Sequence, residues 1–369
     1  MSFTQSGPVL VTGASGFIAG HCIEELLRHG YAVRGTVRDV AHTEKVAHLT
    51  ALATEYGGRL DFVAARLDSD EGWAEAAADC AFVLHVASPN PPAVPLDEDE
   101  VIRPAVDGTL RVLRAAAESG TVSRVVLTSS SLAVNAGRPA PTADSYTEDD
   151  WSLIENCDPY AKSKTLAERA AWKFIHDQPE GRRLDLAVVI PTLVLGPLQR
   201  PEVTTSNEVV QRLLDRSMPA VPNLGFSLVD VRDIALAHRL AMESPKATGN
   251  RYLCGGPYTW MWDIARVLAA EFDPEGFRVP TRRLPYWAMW LAARFDPALR
   301  LALGYVGRPE RFSSQKAIDE LGWSTRPIEE ILRDTGQSLI DHGFVHPRRA
   351  GRAPRPAPPS PPTPTVSRY

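Results

Sequence analysis

The stretch GPVLVTGASGFIAGHCIEELLRHGYAVRGTVRD, from Gly7 to Asp39, decides the fold. It reads as a buried strand, a glycine turn, a helix and a second strand that ends on an arginine. In the turn, Gly13 permits a tight exit from the strand and Gly16 lets the backbone come close to a phosphate. Ala19 is small enough for the helix to pack on the sheet. The first-turn amides of that helix face any bound anion, and the helix dipole favours its charge. Glycine-rich turns are common, but this one follows an apolar strand and opens a helix, the context that predicts dinucleotide binding. Gly13, Ser15, Gly16, Phe17 and Ile18 are the expected contacts.

Outward from this unit, short apolar runs alternate with helical patterns up to about Ile190. The runs are Val9–Thr12, Ala32–Val37, Leu60–Ala64, Phe82–Val86, Arg124–Thr128 and Leu186–Ile190. Helical patterns include Ala19–Arg28, Pro104–Glu118 and Lys162–His176. Alternation of this kind predicts an α/β fold, a doubly wound parallel sheet of the Rossmann type with right-handed crossovers. After Pro191 the rhythm breaks into proline-rich loops and helices over Asp263–Glu271, Pro285–Phe295 and Ile328–His342. The expected organisation is a dinucleotide-binding domain over 1–195, to which 226–256 returns. A smaller substrate lobe takes 196–225 and 257–346. The last stretch, 347–369, is rich in proline with little to bury, and reads as a disordered, solvated tail.

Composition narrows the function classes. The chain has 369 residues and a net charge of -5, which gives no reason to expect nucleic acid or an anionic membrane as partner. Cys22, Cys80, Cys157 and Cys254 lack metal-ligand spacing and read as reduced thiols of a cytoplasmic protein, with no metal site. The N-terminus does not read as a signal peptide, and the apolar run Tyr286–Ala293 is far too short to span a bilayer.

Coenzyme choice is read at the end of the second strand. A carboxylate there suits the ribose hydroxyl of NAD, whereas the 2′-phosphate of NADP needs positive charge. Arg38 stands at that end with Lys45 downstream, and a guanidinium matches phosphate bidentately. NADP(H) is favoured, while Asp39, one step of register away, keeps NAD(H) open. After the third strand, Leu67 and Asp68 lie where the adenine is expected. Asp68 either accepts from the adenine amine or caps a helix beginning near Asp70. Val86, Ala87 and Ser88 leave the fourth strand on small residues, so their backbone can pass beneath a coenzyme.

The chemistry is read from DPYAKSKTLAER. Tyr160 and Lys164 are spaced i, i+4 and share one helix face. A free phenol ionises near pH ~10, too high for acid–base work at neutrality. A neighbouring ammonium and an oxidised nicotinamide both favour the phenolate. Lys164 can also hold the ribose hydroxyls. The fifth strand ends in hydroxyls: Thr128 and Ser129 fall beside the coenzyme, and Ser130 is the expected donor to a substrate carbonyl, with Ser131 one register step away.

On these motifs the chain resembles the extended short-chain dehydrogenase/reductases. It is most similar to their dihydroflavonol reductase, cinnamoyl-CoA reductase and methylglyoxal/aldehyde reductase branch. VTGASGFIAGH, VRGTVRD with Lys45, FVLHVASP, VIRPAVDGTLRVLRAA, VVLTSSS, PYAKSK, VVIPTLVLGP and SLVDVRDIALAH carry the match, and ERFSSQKAIDELGWSTRPIEEIL resembles the closing segment. The resemblance implies hydride transfer between NADPH and a carbonyl or alcohol. It casts Tyr160 as proton donor, Lys164 as its partner and Ser130 as carbonyl clamp. It also places the backbone of Pro191, Thr192, Leu193 and Val194 beside the nicotinamide.

On the substrate side, the loop after Pro197, the segment near Phe226 and the helix Pro285–Phe295 are expected to line a pocket. Trp260, Trp262, Trp287 and Trp290 either wall it or belong to the core of the lobe. The leading expectation is an NADPH-dependent oxidoreductase that reduces an aldehyde or ketone, as a monomer or homodimer. Rival readings are an NAD-dependent hydroxysteroid-type dehydrogenase and a nucleotide-sugar epimerase or dehydratase. Ser131 and Leu132 argue against a dehydratase, which needs an extra acid–base pair there. A non-catalytic NADP sensor has no need of the serine, tyrosine and lysine set.

Overall fold

The computed structural model describes residues 7–89, 97–139, 145–179, 181, 184–294 and 306–347. Among these residues the strands are, in chain order, β1 (Val9–Val11), β2 (Val33–Val37), β3 (Leu60–Ala64), β4 (Phe82–His85), β5 (Arg124–Thr128), β6 (Asp185–Pro191), β7 (Leu193–Leu195), β8 (Gly225–Asp230), β9 (Arg251–Cys254) and β10 (Tyr258–Trp260). Seven of them form one parallel sheet in the order β3-β2-β1-β4-β5-β6-β9. Val9 pairs with Val33 on one side and Phe82 on the other, and Val11 with Gly35 and Leu84.

Both faces of the sheet are apolar, so both are covered by helices. Val9, Val11 and Leu84 face a layer containing α1 (Phe17–Arg28), α2 (Ala47–Glu55) and α7 (Val231–Glu243). Leu10, Val83 and Val125 face the opposite layer of α3 (Trp73–Ala77), α4 (Asp99–Ser119) and α5 (Pro159–His176). The strand order reverses between β1 and β4, and the crevice at their carboxyl ends is where such sheets bind ligands.

A second sheet pairs β7 parallel with β8, and β10 antiparallel to β8. A third apolar cluster surrounds it. Val210 and Leu213 come from α6 (Glu208–Leu214), Ile264 and Leu268 from α8 (Met261–Phe272), and Ile331 and Leu339 from a C-terminal helix over Ile328–Asp341. Before that helix come α9 (Tyr286–Ala292) and α10 (Gln315–Leu321), which makes the C-terminal helix α11.

Boundaries shift where capping chemistry overrides the apolar pattern. The helix read from Pro104 begins at Asp99, because Asp99 and Glu100 in its first turn suit the positive end of the dipole. The four cysteines are free thiols, and among the described residues no helix is long and apolar enough to cross a membrane. Phe295 and the tail after Pro347 lie outside the described residues.

Candidate active site

The glycine turn has little room to spare. Gly13 adopts φ +71, and a Cβ on it would stand 3.0 Å from the Cβ of Ala87. Its amide donates to Thr36 Oγ1 at 2.9 Å, and the Gly16 amide donates back to the Gly13 carbonyl at 2.8 Å. Helix α1 starts at Phe17 with Gly16 as its cap, no side-chain capping bond and no acidic residue in its first turn. The amides of Phe17 and Ile18 therefore open on a setting that accepts an anion. Ser15 is half-buried beside them.

The facing wall is Val86–Ser88, and a hydrogen-bond centre that the sequence did not disclose holds it. Thr12 Oγ1 accepts from the amides of Val86 and Ala87, both at 3.0 Å. Its own proton is thereby directed to His85 Nδ1 at 2.9 Å, which leaves the imidazole hydrogen on Nε2. Burial, with the nearby charge of Lys164 adding to it, lowers the His85 pKa to about 3, so this histidine is neutral.

At the end of β2, Asp39 is turned toward its own loop. Its carboxylate accepts from the Ala41 amide at 2.8 Å and lies 3.1 Å from His42 Nδ1, so it folds back on its own loop. Arg38 is exposed, and Lys45 is exposed at the end of the short turn Thr43–Lys45. Among the described residues neither pairs with a carboxylate; Asp39 and Asp68 are engaged by His42 and Arg66. Asp68 caps no helix, since α3 begins at Trp73 behind Gly72. Instead it receives both Nε and a terminal nitrogen of Arg66, at 2.9 and 2.8 Å. That bidentate pair, helped by the field of Arg38, brings the Asp68 pKa down to about 2. The Leu67 carbonyl accepts from Arg111 at 2.7 Å.

The helix carrying the tyrosine begins at Pro159 rather than Lys162. Asp158 is its N-cap, with Oδ1 accepting from the amides of Tyr160 at 2.9 Å and Ala161 at 3.0 Å, and Pro159 fills the first helical position. The Asp-Pro pair is a legible start signal that the apolar pattern alone obscured. Tyr160 and Lys164 occupy successive turns, and Lys164 Nζ lies 5.8 Å from the centroid of the phenol ring. Lys164 is only 9% exposed, yet among the described residues its ammonium has no hydrogen-bond or carboxylate partner.

The hydroxyls after β5 diverge. Thr128 donates to His238 Nε2 at 2.6 Å, because His238 Nδ1 already gives its hydrogen to the Ile234 carbonyl. Ser129 donates to Glu168 Oε2 at 2.5 Å. Both side chains are committed away from the crevice, so only their backbone remains to meet a coenzyme. Ser130 differs: its Oγ accepts from the Leu132 amide at 3.2 Å, which leaves its own hydrogen free to donate. The turn Ser131–Ala133 packs against α5, which brings the exit of β5 beside Tyr160 and Lys164.

Beyond β6, Thr192 is buried between Pro191 and Leu193, and its Oγ1 has no partner among the described residues. Gly255 backs this segment; a Cβ there would meet Thr192 Cγ2 at 2.5 Å. Val194 is buried on the sheet. The four tryptophans do not form one wall. Trp260 and Trp262 stack at 4.5 Å with rings 10° apart, whereas Trp287 and Trp290 on α9 are 69% and 47% exposed. The loop after Pro197 is tied down, with His21 on the Pro197 carbonyl and the Leu198 amide on Ser338.

The family described as "NAD dependent epimerase/dehydratase family" matches residues 9–255. Tetraketide alpha-pyrone reductase 1 of Arabidopsis thaliana is 34% identical over 346 residues, covering 92% of this chain and 97% of that protein. Cinnamoyl-CoA reductase CAD2 of Medicago truncatula is 38% identical over 354 residues, covering 94% and 100%. The solved structure of yeast methylglyoxal/isovaleraldehyde reductase Gre2 complexed with NADPH superposes with a TM-score of 0.75 at 26% identity, covering 92% of this chain and 100% of that one.

Proposed function

The chain belongs to the NAD dependent epimerase/dehydratase family, in the dihydroflavonol and cinnamoyl-CoA reductase branch of the extended short-chain dehydrogenase/reductases, and from that premise we propose that it reduces an aldehyde or ketone with NADPH. The observation that carries the reading is Lys164, a nearly buried residue whose ammonium lies beside the Tyr160 ring with no partner among the described protein groups. An ammonium left unpaired at the crevice is available to ribose hydroxyls and to a phenolate.

The residues fit that coenzyme. The Gly13 turn, against Ala87, leaves a backbone surface with no room for a side chain, and the uncapped start of α1 suits a pyrophosphate. Arg38 and Lys45 suit a 2′-phosphate, while Asp39 is turned into its own loop and does not compete as a ribose acceptor. NADPH supplies the hydride when bound. Tyr160 gives its hydroxyl proton to the carbonyl oxygen, and the Lys164 ammonium stabilises the phenolate left behind. Ser130, its acceptor side occupied by the Leu132 amide, donates to the same oxygen as charge builds there.

The test is turnover of NADPH with a panel of aldehydes and ketones by the parent and by Tyr160→Phe. Loss of a positioned general acid should lower kcat by about 10²–10⁴-fold while NADPH still binds. A phenylalanine variant within a few-fold of the parent would refute the proton-donor role.

A further inference from the structure

We propose that Ser129, Glu168 and Arg251 form a buried anchor that sets the position of Ser130 beside Tyr160, making Ser129 and Glu168 positioning residues for the reaction; this rests on the reductase reading above. Glu168 lies on α5, one turn beyond Lys164, and is 1% exposed. Its carboxylate receives the Ser129 hydroxyl at 2.5 Å, Arg251 Nε at 2.6 Å and a terminal Arg251 nitrogen at 3.3 Å. The Trp172 indole donates to it as well, at 3.2 Å. Arg251, at the start of β9, also holds the carbonyls of Glu148 at 2.5 Å and Asp150 at 3.0 Å. Its guanidinium lies 3.7 Å from the centroid of the Trp151 ring. One carboxylate thus joins the tyrosine helix, the exit of β5, the edge strand and the loop that precedes the helix.

Packing alone does not call for such a group. An apolar pair of similar volume would fill the space, often at no loss of stability. An apolar pair has no directional bond, however, and direction is what the serines need. Along extended backbone successive side chains point to opposite sides. Thr128 is drawn to His238 on α7, and Ser129 to Glu168 on α5. Ser130, extended at φ -156 and ψ 149, follows Ser129 directly and caps the turn Ser131–Ala133, which packs against α5, while Ser131 is taken into that turn. The anchor therefore fixes the backbone from which the Ser130 hydroxyl is presented to a carbonyl. A reacting group displaced by about 1 Å can lose roughly 100-fold in rate.

Ser129→Ala cuts the tie to β5 and leaves the Glu168–Arg251 ion pair in place. We expect it to melt within a few degrees of the parent and to bind NADPH within about two-fold, while kcat falls about ten-fold with little change in KM for the carbonyl. Amide hydrogen exchange over residues 130–137 should quicken, with or without NADPH. Glu168→Gln should show the same pattern, with a kcat loss nearer 100-fold and a lower melting temperature. The anchor is refuted if Ser129→Ala keeps both kcat and the exchange of 130–137 unchanged. It is equally refuted if kcat, NADPH affinity and melting temperature fall together in that variant, which is the mark of general loosening. A parent inactive on every carbonyl would overturn the reductase reading instead, and exchange over 130–137 would still decide the anchor.

Discussion

Replacing Arg38 by alanine should weaken NADPH and spare NADH. Arg38 has no carboxylate partner among the described residues, so its removal frees no buried charge and breaks no ion pair. The loss is then that of its interaction with a 2′-phosphate. A hydrogen bond to a charged group contributes about 1.5–3 kcal/mol, and the exposed position of Arg38 in salt selects the lower end. That corresponds to roughly ten-fold in Kd. Asp68 adds to it at low salt, because its carboxylate, ionised down to about pH 2 in the grip of Arg66, loses the cation that offset it. Titration of each coenzyme at two ionic strengths measures the effect. The parent should prefer NADPH and lose part of that preference as salt rises; the variant should hold the two coenzymes nearly alike at both. Asp39→Asn is the companion, expected to alter neither coenzyme by more than about two-fold, since the Asp39 carboxylate serves Ala41 and His42. Equal weakening of NADPH and NADH in Arg38→Ala would refute the phosphate assignment, and a gain of NADPH preference in Asp39→Asn would refute the register.

Asp158→Ala removes the acceptor of two first-turn amides, one of them that of Tyr160. Loss of such a cap costs about 1 kcal/mol, a few degrees of melting temperature, and the freed turn should lower kcat about five-fold. If calorimetry shows the loss and kcat does not, the cap serves stability alone. Stability should also fall in mild acid through His85 and His238, held neutral by burial with pKa values of about 3 and about 4. An unfolded histidine protonates near 6.5, so between that pH and the folded value the unfolded chain alone takes up the proton. The contribution is complete above pH ~6.5 and declines by about 1.4 kcal/mol per histidine for each pH unit below it. His238→Gln should therefore lose about 2 kcal/mol less than the parent between pH 7 and pH 5, read from urea midpoints; equal losses would contradict a neutral His238.

The parts of the fold that were legible are those fixed by local pattern. Leu60–Ala64 and Arg124–Thr128 are strands over the spans read from their residues, since short apolar runs bounded by turn residues favour extended backbone. The edge strand Arg251–Cys254 carries no legible strand signal of its own. It opens on an arginine whose charge is compatible with burial only because Glu168, 83 positions earlier, faces it. The short strands Leu193–Leu195 and Tyr258–Trp260 owe their form to pairing with Gly225–Asp230, which no periodicity in three residues can announce. The site divides in the same way. Tyr160 and Lys164 were visible because i, i+4 is a local spacing, and Gly13 because a turn needs its left-handed backbone. The partners of Thr12, Thr128 and Ser129 were not, for each is reached across the fold.

Those three partnerships share one location. Thr12 with His85, Thr128 with His238, and Ser129 with Glu168 and Arg251 all sit at the carboxyl edge of β1, β4 and β5, beside the switch in strand order. Earlier in the same strands Val9, Leu10, Val83 and Val125 are apolar and nearly inaccessible. Stability gives little reason to place histidines and an ion pair at an edge that leucine could fill, since buried polar groups contribute little beyond well-packed apolar ones. Each bond, however, has a direction that an apolar contact lacks, and each ties a strand exit to a neighbouring segment: the β4 exit loop, α7 or α5. The two imidazoles do so without burying a charge, and the Glu168 carboxylate is met by donors from three residues. At these three strand exits, polar groups therefore stand where the backbone must present a donor at a set angle to a ligand, and their arrangement there follows from the demands of the crevice rather than from those of the core.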